Sequence, residues 1–117
     1  MSKGVNAVAN NIDYCLDVTP KQFVQTANSG TPTVFTPVVT TDKYFRKAII
    51  IGAKDLAATG NTSAVKIGLS IAASSQPLSI ATGTNYTIEA PVGSRMRFDA
   101  WFFVTGTTGD GIVVIYW

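Results

Sequence analysis

The residues of this 117-residue chain that could do chemistry are seven carboxylates, nine basic side chains and one cysteine, and histidine is absent. The absence of histidine excludes Ser/His and Cys/His nucleophile pairs, His-based acid–base catalysis and most zinc or iron sites. Cys15 has no partner for an intramolecular disulfide and is interpreted as a small buried apolar residue. The sequence therefore predicts a protein that is not an enzyme, with no catalytic residue, metal site or cofactor.

The carboxylates are scattered along the chain, at Asp13, Asp17, Asp42, Asp55, Glu89, Asp99 and Asp110. Two of them could still form a glycosidase pair in space, although no spacing indicates one. A glycine-rich run at 106–111 looks superficially like a phosphate loop. A phosphate loop is followed by a helix, whereas this run precedes a strand-like segment, so a hairpin turn is predicted instead.

Basic residues form two groups, with Lys43, Arg46 and Lys47 in the first and Arg95 and Arg97 in the second. Such groups could contact phosphate. The net charge is only +2, and few aromatic residues lie between the basic ones, so no nucleic-acid partner is predicted. Solvated charges, or ion pairs across a subunit boundary, are the expected roles.

The elements that must position these residues are predicted to be short strands. Residues 64–71 alternate, with Val65, Ile67, Leu69 and Ile71 on one face. Residues 44–54 carry an apolar run at 48–51, which indicates a strand covered on both faces. Together with the polar loop at 55–63, these two runs predict one long hairpin.

Further strand-like runs occur between turn residues, at 12–18, 21–27, 33–39, 85–90, 95–105 and 112–117. No sustained helical period and no repeat is present. The sequence therefore predicts an all-β, single-domain antiparallel β-sandwich at 12–117, jelly-roll-like, preceded by a flexible N-terminal arm at 1–11. No run has the length of a transmembrane helix, and 1–11 lacks the apolar core of a signal peptide, so no membrane association is expected.

Two predicted strands are apolar on a second face. In 95–105 the core face is predicted at the even positions Met96, Phe98, Ala100, Phe102 and Val104. A sandwich buries only one face of each sheet, so the opposite faces need a second cover. A loop, the N-terminal arm or another subunit could supply it. The prediction is a subunit interface in a cyclic homo-oligomer, with a trimer favoured, formed by Trp101, Phe103, Val113, Ile115 and Trp117.

Residues 41–117 resemble small structural proteins of tailed-bacteriophage virions. The resemblance rests on YFRKAIIIG at 44–52, VKIG at 65–68, QPLSI at 76–80, IEAPVG at 88–93 and GDGIVVIY at 109–116. It implies a non-enzymatic capsid decoration or cement protein, which is assembled in the host cytoplasm and stabilises the head by oligomeric packing. Its partner would be the major capsid protein or another virion protein. No functional residue comes with the resemblance.

One alternative from another functional class stays open at this point. The chain could be a carbohydrate- or ligand-binding β-sandwich module of a tail or host-recognition structure. An exposed aromatic ring, Trp101 or Tyr44, would then serve as the stacking platform.

Overall fold

The computed structural model describes residues 19–117. The predicted arm at 1–11, the predicted strand at 12–18 and Cys15 lie outside the described residues. Within residues 19–117 the chain forms ten strands and two short 3₁₀ helices, at Ala73–Ser75 and Phe98–Ala100. The strands are β1 (Lys21–Thr26), β2 (Thr33–Val34), β3 (Tyr44–Phe45), β4 (Lys47–Ile51), β5 (Val65–Gly68), β6 (Leu78–Ile80), β7 (Asn85–Glu89), β8 (Met96–Arg97), β9 (Phe102–Thr105) and β10 (Gly111–Tyr116).

The strands form two four-stranded sheets and one two-stranded ribbon. The first sheet has the order β1-β10-β4-β7, the second has the order β2-β9-β5-β6, and β3 pairs with β8. Every ladder is antiparallel. The predicted all-β antiparallel sandwich is confirmed.

The pairing is nested about the turn between β5 and β6. β5 pairs with β6, β4 with β7, β3 with β8, β2 with β9, and β1 with β10. The chain is therefore one long antiparallel hairpin, which is rolled up when β10 pairs with β4 and β9 pairs with β5. This is the topology of a jelly roll, here with a small extra ribbon.

The core between the two sheets is rich in aromatic rings. The Phe98 ring centroid lies 4.7 Å from that of Phe45, 4.9 Å from that of Tyr116 and 5.9 Å from that of Phe23. Tilted and edge-to-face contacts at these distances add to the stabilisation that burial provides. Because Phe98 belongs to the second 3₁₀ helix, this cluster fixes that helix to the core.

The predicted hairpin at 44–71 is wrong. β4 and β5 are neighbours in sequence but belong to different sheets, so the loop between them crosses from one sheet to the other. β5 ends at Gly68, and the apolar residues that continue its alternation, Leu69 and Ile71, are 66% and 78% exposed. The Gln76 side chain donates hydrogen bonds to the carbonyls of Ser70 and Ala72, and so holds this segment as a loop. Alternation reveals which residues share a face, but it does not reveal which strand lies alongside.

The predicted continuous strand at 95–105 is also wrong. The 3₁₀ helix at Phe98–Ala100, closed by a hydrogen bond from the Trp101 amide to the Phe98 carbonyl (3.1 Å), interrupts it. The turn shifts the alternation by one residue, so Phe103 and Thr105 point inward in β9, at 0% and 1% exposure. Phe102 and Val104, predicted for the core, lie on the outer face, and Ala100 is exposed.

Candidate subunit interface

An apolar surface covers the outside of the first sheet. Side chains alternate along a strand, and Phe23, Ile50 and Val114 point into the core. The residues that alternate with them therefore point outward. The register places Val24, Val113 and Ile51 in one row across β1, β10 and β4, and Ile115 beside Ile49 in the next. We call this surface the outer face, and it consists of Val24, Ile49, Ile51, Val113, Ile115 and Trp117.

The outer face arises because the two central strands of the sheet are apolar at nearly every position. β4 reads KAIII and β10 reads GIVVIY. A strand of this kind is typical of a sheet that is covered on both sides. Apart from Val24, the flanking strands are polar on the same face, with Gln22 on β1 and Asn85, Thr87 and Glu89 on β7. An apolar centre with a polar rim is the anatomy of a protein–protein interface.

Exposure differs across the outer face. Val113 is only 5% exposed although it lies outside the core cluster, and Val24 at the sheet edge is exposed. Ile49, Ile51, Ile115 and Trp117 are half-buried. Water therefore still reaches most of these side chains, and a second layer packed on the sheet would remove further apolar area from solvent.

Trp117 continues the outer face beyond β10. Its amide donates to the Lys47 carbonyl (3.0 Å), and its carbonyl accepts from the Arg46 amide (2.7 Å). The Lys47 ammonium lies 5.6 Å from the Trp117 ring centroid, within the range of a cation–π contact. The ring is thus held in place at the boundary between the outer face and the basic residues at this end of the sandwich.

The structure brings together three of the five predicted interface residues, Val113, Ile115 and Trp117. The assignment of Phe103 is wrong, because its ring is fully buried in the domain's own core, 6.0 Å from that of Phe35. Trp101 is half-buried against the core and precedes β9 of the second sheet, so it does not join the outer face.

Sequence reasoning missed three members of the outer face, Val24, Ile49 and Ile51. For Ile49 and Ile51 the signal was present, because the run at 48–51 is apolar on both faces. Only the strand order places that run beside β10. Val24 gave no signal of its own, since β1 is otherwise polar on its outer side.

Asp110 is the most enclosed carboxylate among the described residues, at 1% exposure. Its oxygens accept hydrogen bonds from the amides of Thr62 (2.9 Å) and Ser63 (3.0 Å), and the Lys54 ammonium lies 4.0 Å away. Burial raises its pKa, but the amides and Lys54 together outweigh burial and hold the pKa below the ordinary value. The groups that contact the carboxylate belong to the β4–β5 loop, whereas Asp110 lies in the turn before β10. These contacts therefore join the loop to the turn.

Asp42 has a similar role at the other end of β10. It accepts a hydrogen bond from the Tyr116 hydroxyl (2.6 Å) and pairs with the Lys21 ammonium (3.0 Å). The Tyr116 bond, and then Lys21, lower the pKa of Asp42. Burial, and then the Asp42 bond, raise the pKa of Tyr116. These contacts fasten the loop before β3 to the first sheet.

Within residues 19–117 no three His, Cys, Asp or Glu side chains approach one another closely enough to hold a metal ion. The same part of the chain has no helix that is long and apolar enough to cross a membrane. No family model, curated protein or solved structure matches the chain.

Proposed function

We propose that this protein is a non-enzymatic structural protein of a virion, a capsid decoration or cement protein that acts as a homo-oligomer. The observation that carries the proposal is the outer face, an apolar surface across three strands with a polar rim. Jelly rolls occur in viral capsids, but also in lectins and enzymes, so the fold alone would not support a function. The resemblance at 41–117 adds the virion assignment.

The mechanism follows from burial and mass action. Packing the outer face against another copy removes the half-buried side chains of Ile49, Ile51, Ile115 and Trp117 from water. A partner that binds only the folded state stabilises that state by a free energy that grows with the logarithm of the partner concentration. Closed symmetry would cover the outer face of every subunit at once. On a capsid, an oligomer held together by these contacts would bridge neighbouring capsid subunits through its remaining surface and so raise the stability of the particle.

The substitution Ile115→Asp tests the outer face. Ile115 points out of the sheet, between Gln22 and Ile49, so an aspartate there should leave the fold intact. An unpaired charge buried at an interface costs several kcal/mol, so the oligomer should dissociate. Light scattering over a concentration series measures the state of assembly, and circular dichroism checks the fold.

Val92→Asp is the matched control, because Val92 is a fully exposed apolar residue in the β7–β8 loop. It adds the same charge and should leave assembly unchanged. A wild-type protein that is monomeric at all concentrations would contradict the proposal, as would an Ile115→Asp variant that still assembles. Cosedimentation with the lattice of the partner capsid protein tests the virion role, and a failure of both oligomer and monomer to bind would exclude decoration.

A further inference from the structure

β7 forms one edge of the first sheet. It is the last strand in the order β1-β10-β4-β7, so the described residues pair it on its β4 side alone. The strand reads NYTIE, and every residue except Ile88 is exposed. It contains no proline and no lysine, which are the residues that commonly protect a sheet edge from pairing with another chain. We call its unpaired side the β7 edge.

The hydrogen bonds at the two ends of the β4–β7 ladder show which backbone groups point toward β4. The Thr84 carbonyl accepts from the Gly52 amide (2.9 Å), and the Ala90 amide donates to the Arg46 carbonyl (2.8 Å). Both pairs continue the register of the ladder. Successive residues of an antiparallel strand direct their backbone groups to opposite sides, so the even-numbered residues of β7 face β4.

The odd-numbered residues of β7 therefore direct their backbone groups outward. These residues are Asn85, Thr87 and Glu89, and no backbone group of residues 19–117 bonds to their outward amides and carbonyls. A strand that presents alternating donors and acceptors in this way is a template for a further strand.

The β7 edge is complementary to a second copy of itself. Antiparallel pairing about a two-fold axis at Thr87 sets Thr87 opposite Thr87 and Asn85 opposite Glu89 of the second copy. These are the outward-facing residues, so each pair can exchange two backbone hydrogen bonds. Tyr86 then lies opposite Ile88 of the second copy. Thr–Thr and aromatic–β-branched pairs are favourable across strands, and in this register no like charges oppose each other.

We propose that the β7 edge pairs with the β7 edge of a second copy, which extends the first sheet across two molecules. An extended strand of another protein would find the same backbone groups, but the side chains of a second copy match them at every position. The other edges are less suited to pairing. β2 and β6 have only two and three residues, and the Gln25 side chain of β1 is bonded to Val34 and Thr36.

This contact goes beyond the proposed assembly through the outer face. It uses the side of the sheet, so the outer face of each copy stays uncovered. One pair of strands buries much less than the roughly 1,200 Å² of a stable interface. The pairing therefore adds to an assembly held by other contacts, and alone it is too weak to hold a dimer in dilute solution.

Disulfide trapping tests the pairing, because oxidation captures even a weak contact. In the proposed register the two Thr87 Cα atoms lie about 5.5 Å apart, within the range that a disulfide spans. Thr87→Cys in a Cys15→Ala chain should therefore give a cross-linked dimer on non-reducing electrophoresis. Circular dichroism of the reduced protein checks the fold.

Asn85→Cys in the same Cys15→Ala chain is the matched control, because Asn85 is exposed on the same strand. Two copies of Asn85 would lie four residues apart along the paired strands, about 14 Å, so no cross-link should form. An equimolar mixture of the Asn85→Cys and Glu89→Cys proteins should instead give a cross-linked heterodimer. This result would fix the register.

The proposal is overturned if Thr87→Cys gives no cross-link, as when residues 1–18 or another strand cover the edge. It is also overturned if Asn85→Cys alone cross-links equally, since random collision would then explain both results. Adding Ile115→Asp to the Thr87→Cys chain separates the two contacts. The cross-link should persist although light scattering of the reduced protein shows a monomer, and its loss would show that the β7 edge does not pair by itself.

Discussion

Asp110 shows how a buried carboxylate can join two distant segments of a fold. It is held by backbone amides of Thr62 and Ser63, while Asn61 beside them exchanges two hydrogen bonds with the backbone of Gly111, at 2.8 and 2.9 Å. Both side chains join the β4–β5 loop to the start of β10. In the sequence, Asp110 followed by Gly111 predicted only a turn, because the amides that satisfy the carboxylate come from a loop almost fifty residues away.

Replacing Asp110 by asparagine should destabilise the protein in a pH-dependent way. At pH 7 we expect a loss of about 1–3 kcal/mol, because one of the two amides that donate to the buried carboxylate would lose its acceptor. The lowered pKa of Asp110 means that its stabilising contribution is present above the unfolded pKa, near 3.8, and is lost as the pH falls through the folded pKa. Urea unfolding at pH 7 and at about pH 3 should therefore show a difference between the two proteins that shrinks in acid.

Asp99→Asn is the control for this experiment. Asp99 also has a lowered pKa, caused first by its hydrogen bonds from Arg97, but both side chains are mostly exposed. Exposed ion pairs contribute little, so its unfolding midpoint should move much less than that of the Asp110 variant. Equal effects of the two substitutions would show that the buried position of Asp110 is unimportant.

At the scale of the elements, the 3₁₀ helix at Phe98–Ala100 decides which side of β9 is buried. Phe103→Ser should cost about 3–5 kcal/mol, because it removes a fully buried ring from the core. Phe102→Ser, on the outer side of the same strand, should cost clearly less. Guanidinium unfolding of both variants measures the difference in their free energies of unfolding. A larger loss for Phe102→Ser would mean that Phe102, and not Phe103, faces the core, as in the uninterrupted strand that the sequence predicted.

The elements also show what could be predicted from the sequence. Alternation and turn residues were enough for the all-β class, the jelly-roll-like sandwich and the outward positions of Val113, Ile115 and Trp117, because these follow from local spacing. Whether Phe103 faces the core depended on a single 3₁₀ turn. The residues that form this turn, FDA at 98–100, give no sequence signal for it. The partners of β4 depended on pairing across the whole chain, which spacing along one strand does not encode.

The meeting of the two basic groups failed to appear in the sequence for a related reason. Arg46 and Arg95 were recognised as members of separate groups, and only the β3–β8 ribbon brings them to one pocket. The distinction between Arg95 and Arg97 required the geometry of Asp99 and Tyr44. Two arginines on one predicted strand face gave no reason to expect that only one would be neutralised.

At the scale of the whole molecule, the nested pairing makes the contacts strongly non-local. The outermost ladder joins Lys21 to Tyr116, while only the β5–β6 ladder joins strands that are close in sequence. Proteins dominated by non-local pairing lose chain entropy on loop closure before most of their contacts form. They therefore fold slowly for their size. Folding in milliseconds to seconds is therefore expected, with the β5–β6 turn as the element that can form first.

Because the pairing is nested, a single proteolytic cleavage between β5 and β6 would divide the chain into two fragments that remain paired along their strands. The exposed segment 72–75 lies between β5 and β6, so cleavage there leaves β1–β5 on one fragment and β6–β10 on the other. Each of the five nested ladders then joins one strand from each fragment.

After limited proteolysis, denaturing electrophoresis should show two fragments, while gel filtration in native buffer should show one particle of unchanged size. Separation of the fragments in native buffer would mean that these ladders are too weak to hold the two halves together without the covalent link. If the fragments stay together, the cleaved protein is a stable complex of two chains.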